Sequence, residues 1–451
     1  MAEKFNVYVL GDGGREDAYA YYLLKHPDVT VTLAPGKSGI LMPGHLSKEE
    51  RSRLVLVPQA KTMDLKAQLE IVQGNRFDLG IIGPEDPGIA GFSEELARHV
   101  RLFNPPKIGY MLEGNKWWAK SIAQDLGIPT AEAMLVTSMA EADKALVCFQ
   151  DKGQPVVLKC VGPALGKGVE IIPLNHPEYW EAQREMIAKM LRGERGYQCP
   201  GLLVEARYPY TKQEWSAIHW LGANNTLIQM VTCMDHKLLN GLNTGGMAVI
   251  NPAPHVGRED MEARQSIVLG LAQYLQDFWQ TTYVGTLYEG LARTQGIDCL
   301  LEINARGGAP ETEVQLGAIK GLPLHEVMLA LLEGDREKLK AVEIDYNTVQ
   351  VGIVVAAKGY PLDYSAQKGK AITFPDPPEN CTIFPAGLEF RDDKLYTAGG
   401  RLALVVFKST NPDYAQAVKE ARDKCYDFMG EIKSEAELDW RTDIGDKIVN
   451  P

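Results

Sequence analysis

The sequence predicts an α/β protein built from several domains, and three observations carry that prediction. The first hundred or so residues alternate short apolar runs with helix-like stretches, the pattern of a parallel sheet covered by helices. From about Val342 onward, alternating apolar residues and turns followed by one helix read as a small α+β domain. At 451 residues the chain exceeds what a single core ordinarily organises, so it must divide.

Taken in order, Val7–Leu10, Val29–Ala34, Leu54–Leu56 and Leu79–Ile82 read as strands, as does the region around Lys107–Ile108. Ala18–Lys25, Leu65–Gln73 and Ser93–Val100 read as the helices between them. Ligands of such sheets gather at the carboxyl ends of strands, where Gly11-Asp12-Gly13-Gly14 and Gly83-Pro84-Glu85 both fall. A helix follows from Glu113 to Leu126, ended by Gly127-Ile128-Pro129. Strands are then expected at Pro155–Cys160, Gly168–Ile172, Leu202–Glu205, Glu214–Leu221, Leu227–Cys233 and Leu300–Asn304, with a helix over Met261–Gln280. In the tail, Val349–Ala357, Ala371–Phe374 and Thr382–Phe384 read as strands and Asn411–Met429 as a helix. The implied division is 1–108, 109–341 and 342–451.

Composition narrows the function. With 45% hydrophobic and 24% charged residues the chain has the balance of a soluble globular protein. A net charge of −12 excludes a non-specific nucleic-acid binder, which needs a basic face. The seven cysteines show no CxxC spacing and read as small buried apolar residues in a reducing compartment. The start MAEKFNVYVL runs directly into a strand, and no apolar run approaches the ~20 residues that span a bilayer. A cytoplasmic enzyme is expected, working as a monomer or small homo-oligomer on small molecules rather than on nucleic acid or membrane. No GxSxG elbow or HExxH helix supports a nucleophilic or zinc hydrolase.

Four motifs carry candidate chemistry. The Gly11–Gly14 turn lacks the third glycine of a dinucleotide fingerprint, because Glu16 stands in its place. It reads either as a nest of backbone N–H groups for an anion, helped by Arg15, or as a tight turn in which Asp12 and Asp17 cap the helix. Lys159 closes the strand PVVLK and is followed by GPALGKGV, Gly162–Val169, a glycine loop around Lys167 suited to a polyphosphate. In LLEINARGGAPE, Glu302 and Asn304 share one strand face, with Arg306 next on that face. Acid and amide oxygens suit Mg²⁺, and the guanidinium suits a phosphoryl or carboxylate group. The stretch Asn243–Pro254, NTGGMAVINPAP, preceded by Asp235-His236-Lys237, reads as a loop whose glycines admit a ligand or merely flex.

In this order the residues resemble the ATP-grasp superfamily and, within it, the glycinamide ribonucleotide synthetase (phosphoribosylamine–glycine ligase) family. GDGGRE, APGKSG at Ala34–Gly39 and IIGPEDPGIAG at Ile81–Gly91 are similar to that family's N-terminal domain. LEGNKWWAK, PVVLK, GKGV, DHK, NTGGM and EINARGGAPETE resemble its ATP-grasp core, and TAGGR and WRTDIG its C-terminal domain. The resemblance implies a biotin-carboxylase-like N-terminal domain over 1–108, an ATP-grasp core over 109–341 with a mobile lid at about 129–201, and a C-terminal α+β domain over 342–451. It implies ATP with Mg²⁺ or Mn²⁺, a carboxylate activated as an acyl phosphate, and attack by an amine.

By the same resemblance Lys116, Lys159, Gly166 and Gly168 would hold the nucleotide phosphates. Glu214 would take the ribose, Val204–Arg207 with Glu205 would be the adenine hinge, and Glu302 and Asn304 would carry the metal. Arg306 and Lys167 would act on the transferred phosphoryl group. Substrates would meet Gly13, Gly14, Arg15 and Glu16, then Pro84 and Glu85, then Asp235, Lys237, Asn243, Thr244, Gly245 and Gly246. The departures from the family pattern gather at these substrate positions. Asp17 replaces the histidine of GGREH, Asp12 replaces a small neutral residue, the piece after DHK is shortened, and Ala309 stands where RFGDPE has its acid.

Overall fold

The computed structural model describes residues 4–162, 168–207, 214–294 and 296–449. The chain forms two compact units. The first comprises Met1–Lys107, Trp215–Tyr288 and Arg306–Pro451, the second Ile108–Glu214 and Glu289–Ala305. Among the described residues no helix is long and apolar enough to cross a membrane.

The first unit opens with the expected parallel sheet of Phe5–Gly11, Val29–Pro35, Leu54–Leu56 and Leu79–Ile82. Phe5–Gly11 lies centrally, paired on one side with Val29–Pro35 and on the other with Leu79–Ile82. Every residue of Leu79–Ile82 is buried, which is why this strand reads as an unbroken apolar run rather than an alternation. The strand order reverses at Phe5–Gly11, so the turns after Gly11 and Ile82 leave the sheet side by side at its switch point.

The strand expected at Lys107–Ile108 is instead the start of a helix, Lys107–Gly114. The edge position is taken by a single parallel bridge, Gly80 to Leu102, with Phe103 N–H donating to Gly80 O at 2.9 Å. Pro105 and Pro106 then stop strand pairing and set up the helix start.

A second, antiparallel sheet in this unit runs Met234–Leu239, Leu242–Asn251, Val349–Ala357, Arg401–Ser409 and Cys381–Pro385, covered by the helix Tyr414–Gly430. Leu242–Asn251 pairs with Val349–Ala357, so segments distant in sequence share one ladder. Asn240-Gly241, both at positive φ, close the tight hairpin between the first two strands. Asn243–Gly246 therefore lies on a strand rather than in the expected loop.

The second unit holds an antiparallel sheet in the order Ala133–Val136, Leu202–Ala206, Val156–Cys160, Val169–Glu170. The helices Met139–Asp151 and Tyr179–Leu191 bury their apolar sides against it. The helix Lys116–Asp125, capped by the Asn115 side chain on Trp118 N–H at 3.1 Å, and the strand Ile297–Asn304 complete what positions its functional residues.

Candidate nucleotide and substrate sites

In the second unit, Val157 pairs with Glu205 across the Val156–Cys160 and Leu202–Ala206 ladder, so Lys159, two residues on, shares Glu205's face. Lys159 Nζ donates to Glu205 Oε1 at 2.6 Å and to Leu301 O at 3.3 Å. Lys120 Nζ lies 3.0 Å from Glu205 Oε2, and donates to Thr130 Oγ1 at 2.7 Å and Ala131 O at 2.8 Å. One turn earlier on the helix, Lys116 Nζ donates to Gly162 O at 3.3 Å.

The Lys120, Lys159 and Glu205 side chains are only 5%, 12% and 4% exposed. Two ammoniums thus share one carboxylate away from water. Burial draws the Lys120 ammonium below the ordinary lysine range, with Glu205 opposing. A buried surplus of positive charge fits a polyanion, so this donor set suits nucleotide phosphates. Lys120 was missed in the sequence; its signal is the i, i+4 spacing from Lys116 in KWWAK.

Gly166 and Lys167 lie outside the described residues. Gly168 O accepts from Cys160 N–H at 2.7 Å, which holds the near end of that segment to the ladder. Glu214 opens the strand Glu214–Leu221.

Glu302, half-buried, and Asn304, 9% exposed, stand two residues apart on Ile297–Asn304 and so share a face. Arg293 Nη2 meets Asp298 Oδ2 at 2.8 Å across the hairpin with Gly285–Thr294. Antiparallel counting from that pair sets Glu289 opposite Glu302. Glu289 is fully buried, and a carboxylate inside the apolar run Leu287-Tyr288-Glu289 was the unread signal. Among the described residues no group of three or more His, Cys, Asp or Glu is gathered to hold a metal alone. A sparse set of oxygen donors suits Mg²⁺, which completes its shell with phosphate oxygens and water.

In the first unit the Gly11–Gly14 turn already holds an anion, the carboxylate of Glu16. Its Oε2 accepts from Gly13 N–H at 2.6 Å and its Oε1 from Arg15 Nε at 2.8 Å. A Cβ on Gly83 would sit 1.9 Å from Glu16 Oε1, so only glycine lets the second turn pack here. The capping reading of the turn needs correction. The N–H of Gly13 is engaged by the chain itself, and neither aspartate caps the helix. Asp17 Oδ2 lies 2.9 Å from His45 Nε2 with both side chains buried, and Asp12 lies 3.4 Å from Lys37. Burial pushes the Asp17 carboxyl upward while the His45 contact opposes it.

Arg306 was expected on the strand face of Glu302 and Asn304; the strand ends at Asn304 and Arg306 lies beyond it. Its Nε donates to Glu85 Oε2 at 3.2 Å and its Nη1 to Gly307 O at 3.1 Å. Arg15 Nη1 reaches the same Gly307 O at 2.8 Å. The Arg306 guanidinium holds the Glu85 carboxyl down to about 2, against burial. Pro84 precedes Glu85 at the N-terminus of the helix Glu85–Ala90. Arg15, Glu16, Glu85 and Arg306 are therefore one network.

The hairpin adds a second group. Thr244 Oγ1 donates to Lys237 O at 2.6 Å and accepts from Gly246 N–H at 3.1 Å, while the register slips between His236 and Leu238. Asn243 pairs with Leu238. At Gly246, φ +106°, a Cβ would lie 2.9 Å from Ala309 O and 3.4 Å from Asp235 Oδ1. Gly245 and Gly246 thus let DHK, NTGG and RGGAP meet.

Glu313 is fully enclosed nearby, and burial pushes its carboxyl up to about 8. Its unfolded value is near 4.5, so the folded state binds the proton more tightly and loses stability as pH rises from about 4.5 through about 8. Glu313→Gln is expected to flatten that decline by a few kcal/mol, since each pKa unit is worth about 1.4 kcal/mol. Melting curves at pH 5 and pH 8 check this: parallel losses in both proteins would exclude Glu313 as the cause.

A buried lysine on a β-ladder, a second on the helix Lys116–Asp125 and an acid–amide pair on the strand Ile297–Asn304 form the donor set that an ATP-dependent ligase of the ATP-grasp class requires. Biotin carboxylase of Campylobacter jejuni shares the fold at TM-score 0.73 and 14% identity, covering 100% of this chain and 96% of that one. Family models for the phosphoribosylglycinamide synthetase N domain, ATP-grasp (A) domain and C domain match residues 5–113, 114–312 and 350–447. Phosphoribosylamine–glycine ligase of Halalkalibacterium halodurans is 32% identical over 98% of this chain and 97% of its own. The Escherichia coli O6:H1 protein of that name is 32% identical over 94% and 95%. The crystal structure of the Thermotoga maritima phosphoribosylamine–glycine ligase superposes at TM-score 0.73 and 28% identity, covering 96% and 98%. The chain belongs to the phosphoribosylglycinamide synthetase family.

Proposed function

We propose that this chain joins the carboxylate of glycine to the amine of phosphoribosylamine, with ATP and Mg²⁺, forming an amide C–N bond. The observation that carries the reading is the sharing of Glu205 by the buried Lys120 and Lys159, in a chain matched from end to end by one ligase family. Bound ATP with Mg²⁺ would supply the phosphoryl group that activates the carboxylate as an acyl phosphate, with ADP as leaving group, and the amine would attack the acyl carbon and displace inorganic phosphate.

Lys116, Lys120 and Lys159 neutralise phosphate charge, with Gly166, Lys167 and Gly168 closing over it. Glu302 and Asn304 hold the metal, Val204–Arg207 reads adenine and Glu214 takes the ribose. Arg306, aimed by Glu85, faces the transferred group. Gly13–Glu16, Pro84, Asp235, Lys237 and Asn243–Gly246 shape the substrate pockets. The domain reading of 1–108, 109–341 with a lid at about 129–201, and 342–451 goes with it. So does a cytoplasmic monomer or small homo-oligomer that binds neither nucleic acid nor membrane. ADP formation should require ATP, Mg²⁺, glycine and phosphoribosylamine together; full turnover without glycine would refute the assignment.

A second reading, a related amide ligase with another amine, is favoured by one pocket. A narrow pocket at the first glycine turn, with room for about one water, is lined by Asp12, Glu16 and Asp17 and by Lys37. Asp12 beside Lys37, Glu16 beside Arg15 and Asp17 beside His45 leave this turn without the surplus of positive charge that suits a phosphate dianion. Comparing ribosylamine with phosphoribosylamine decides: equal or better turnover with the unphosphorylated amine supports the second reading.

A further inference from the structure

The motif Thr397–Arg401, TAGGR, has no role in the reading so far. Arg401 opens the strand Arg401–Ser409 and turns its guanidinium toward two other segments of the same unit. Its Nη1 donates to Gly245 O at 2.5 Å, Gly246 O at 3.3 Å and Ala309 O at 2.9 Å. A Cβ on Gly245 would lie 3.2 Å from Nη2, so the missing side chain is what admits the guanidinium. Gly245 stands 156 residues and Ala309 92 residues before Arg401. One rigid, permanently charged group thus ties the DHK–NTGG hairpin to the RGGAP segment, which begins at Arg306. Its field also reaches the buried Glu313, whose carboxyl it draws down against burial.

We propose that Arg401 is a positioning residue for the ligase reaction: it sets the spacing of the hairpin carbonyls and Ala309, and through that segment the aim of Arg306. All three bonds come from Nη1, and a lysine, one bond shorter, keeps the charge but does not carry its nitrogen to that point, so it should not hold the carbonyls of both segments. The inference rests on the ligase reading, and its test separates the two.

The experiment compares the parent with Arg401→Lys and Arg401→Met. The first measurement is ADP formation with ATP, glycine and phosphoribosylamine varied in turn. The expected result is a rise of roughly tenfold or more in KM for glycine or the amine and a lower kcat in both variants, while KM for ATP stays within about twofold. Added guanidinium should restore part of the rate to Arg401→Met and none to the parent. The second measurement, hydrogen exchange, needs no turnover: amides of 243–247 and 307–311 should exchange faster in both variants, with the Phe5–Gly11 and Val29–Pro35 strands unchanged. Unaltered exchange in those two segments overturns the proposal, as does Arg401→Met acting like the parent in every KM. Equal rises in all three KM values also overturn it, because they mark general damage. A silent parent with altered exchange sinks the ligase reading and leaves the tie between the segments standing.

Discussion

Replacing Glu205 with Gln is expected to destabilise the second unit by about 3 kcal/mol and to weaken nucleotide binding together with it. The carboxylate is 4% exposed and accepts Lys159 at 2.6 Å, with Lys120 at 3.0 Å on its other oxygen. Without it two ammoniums face each other in a dry site, and removing one partner of a buried ionic group costs about 3–5 kcal/mol. Part of that penalty returns when Lys159→Met is added, because the second substitution removes one of the stranded charges. Denaturant unfolding of the two single variants and the double variant measures the coupling. Strict additivity would mean that the three side chains do not act as a unit. ATP should stabilise Glu205→Gln against heat less than it stabilises the parent if Glu205 also orients the lysines for phosphate.

Replacing Glu302 with Gln should cut ADP formation on the order of 10²–10³-fold, the scale of removing one preorganised electrostatic group. It should also raise the Mg²⁺ concentration needed for half-maximal rate. Stability should change little, because Glu302 is half-buried rather than enclosed. Gln keeps the shape and one oxygen but loses the charge, so the effect reports on the metal rather than on packing. Parent-like turnover at limiting Mg²⁺ would remove Glu302 from the metal site. The same assay on Glu289→Gln then asks whether the carboxylate opposite it takes part.

Much of the fold is legible in single residues. Val7–Leu10 and Leu79–Ile82 are short apolar β-formers ended by glycine, and both are strands of the parallel sheet. Glu214–Leu221 and Val349–Ala357 form strands at the expected bounds. Lys107–Ile108 misled because so short a stretch after Pro105-Pro106 looks the same whether a strand or a helix follows. The choice was made by Leu102, which had already taken the edge of the sheet. Asn243–Gly246 reads as a loop by its composition, yet hairpin closure at Asn240-Gly241 draws it into a ladder.

The sequence by itself determined the ordered motifs and the strands that carry them, because strand periodicity and turn chemistry act over a few residues. It also named Lys159, Glu302 and Asn304 as candidates, since residue type and spacing are local properties, while Lys116 was implied by the family resemblance. Only the tertiary structure decided which charges meet. Glu16 fills the glycine turn, Asp17 finds His45, and Lys120 shares Glu205 with Lys159. Arg401 reaches carbonyls of segments that precede it by 156 and 92 residues. The physical reason is that an ion pair depends on distance and burial, and both are set by how sheets pack rather than by separation along the chain.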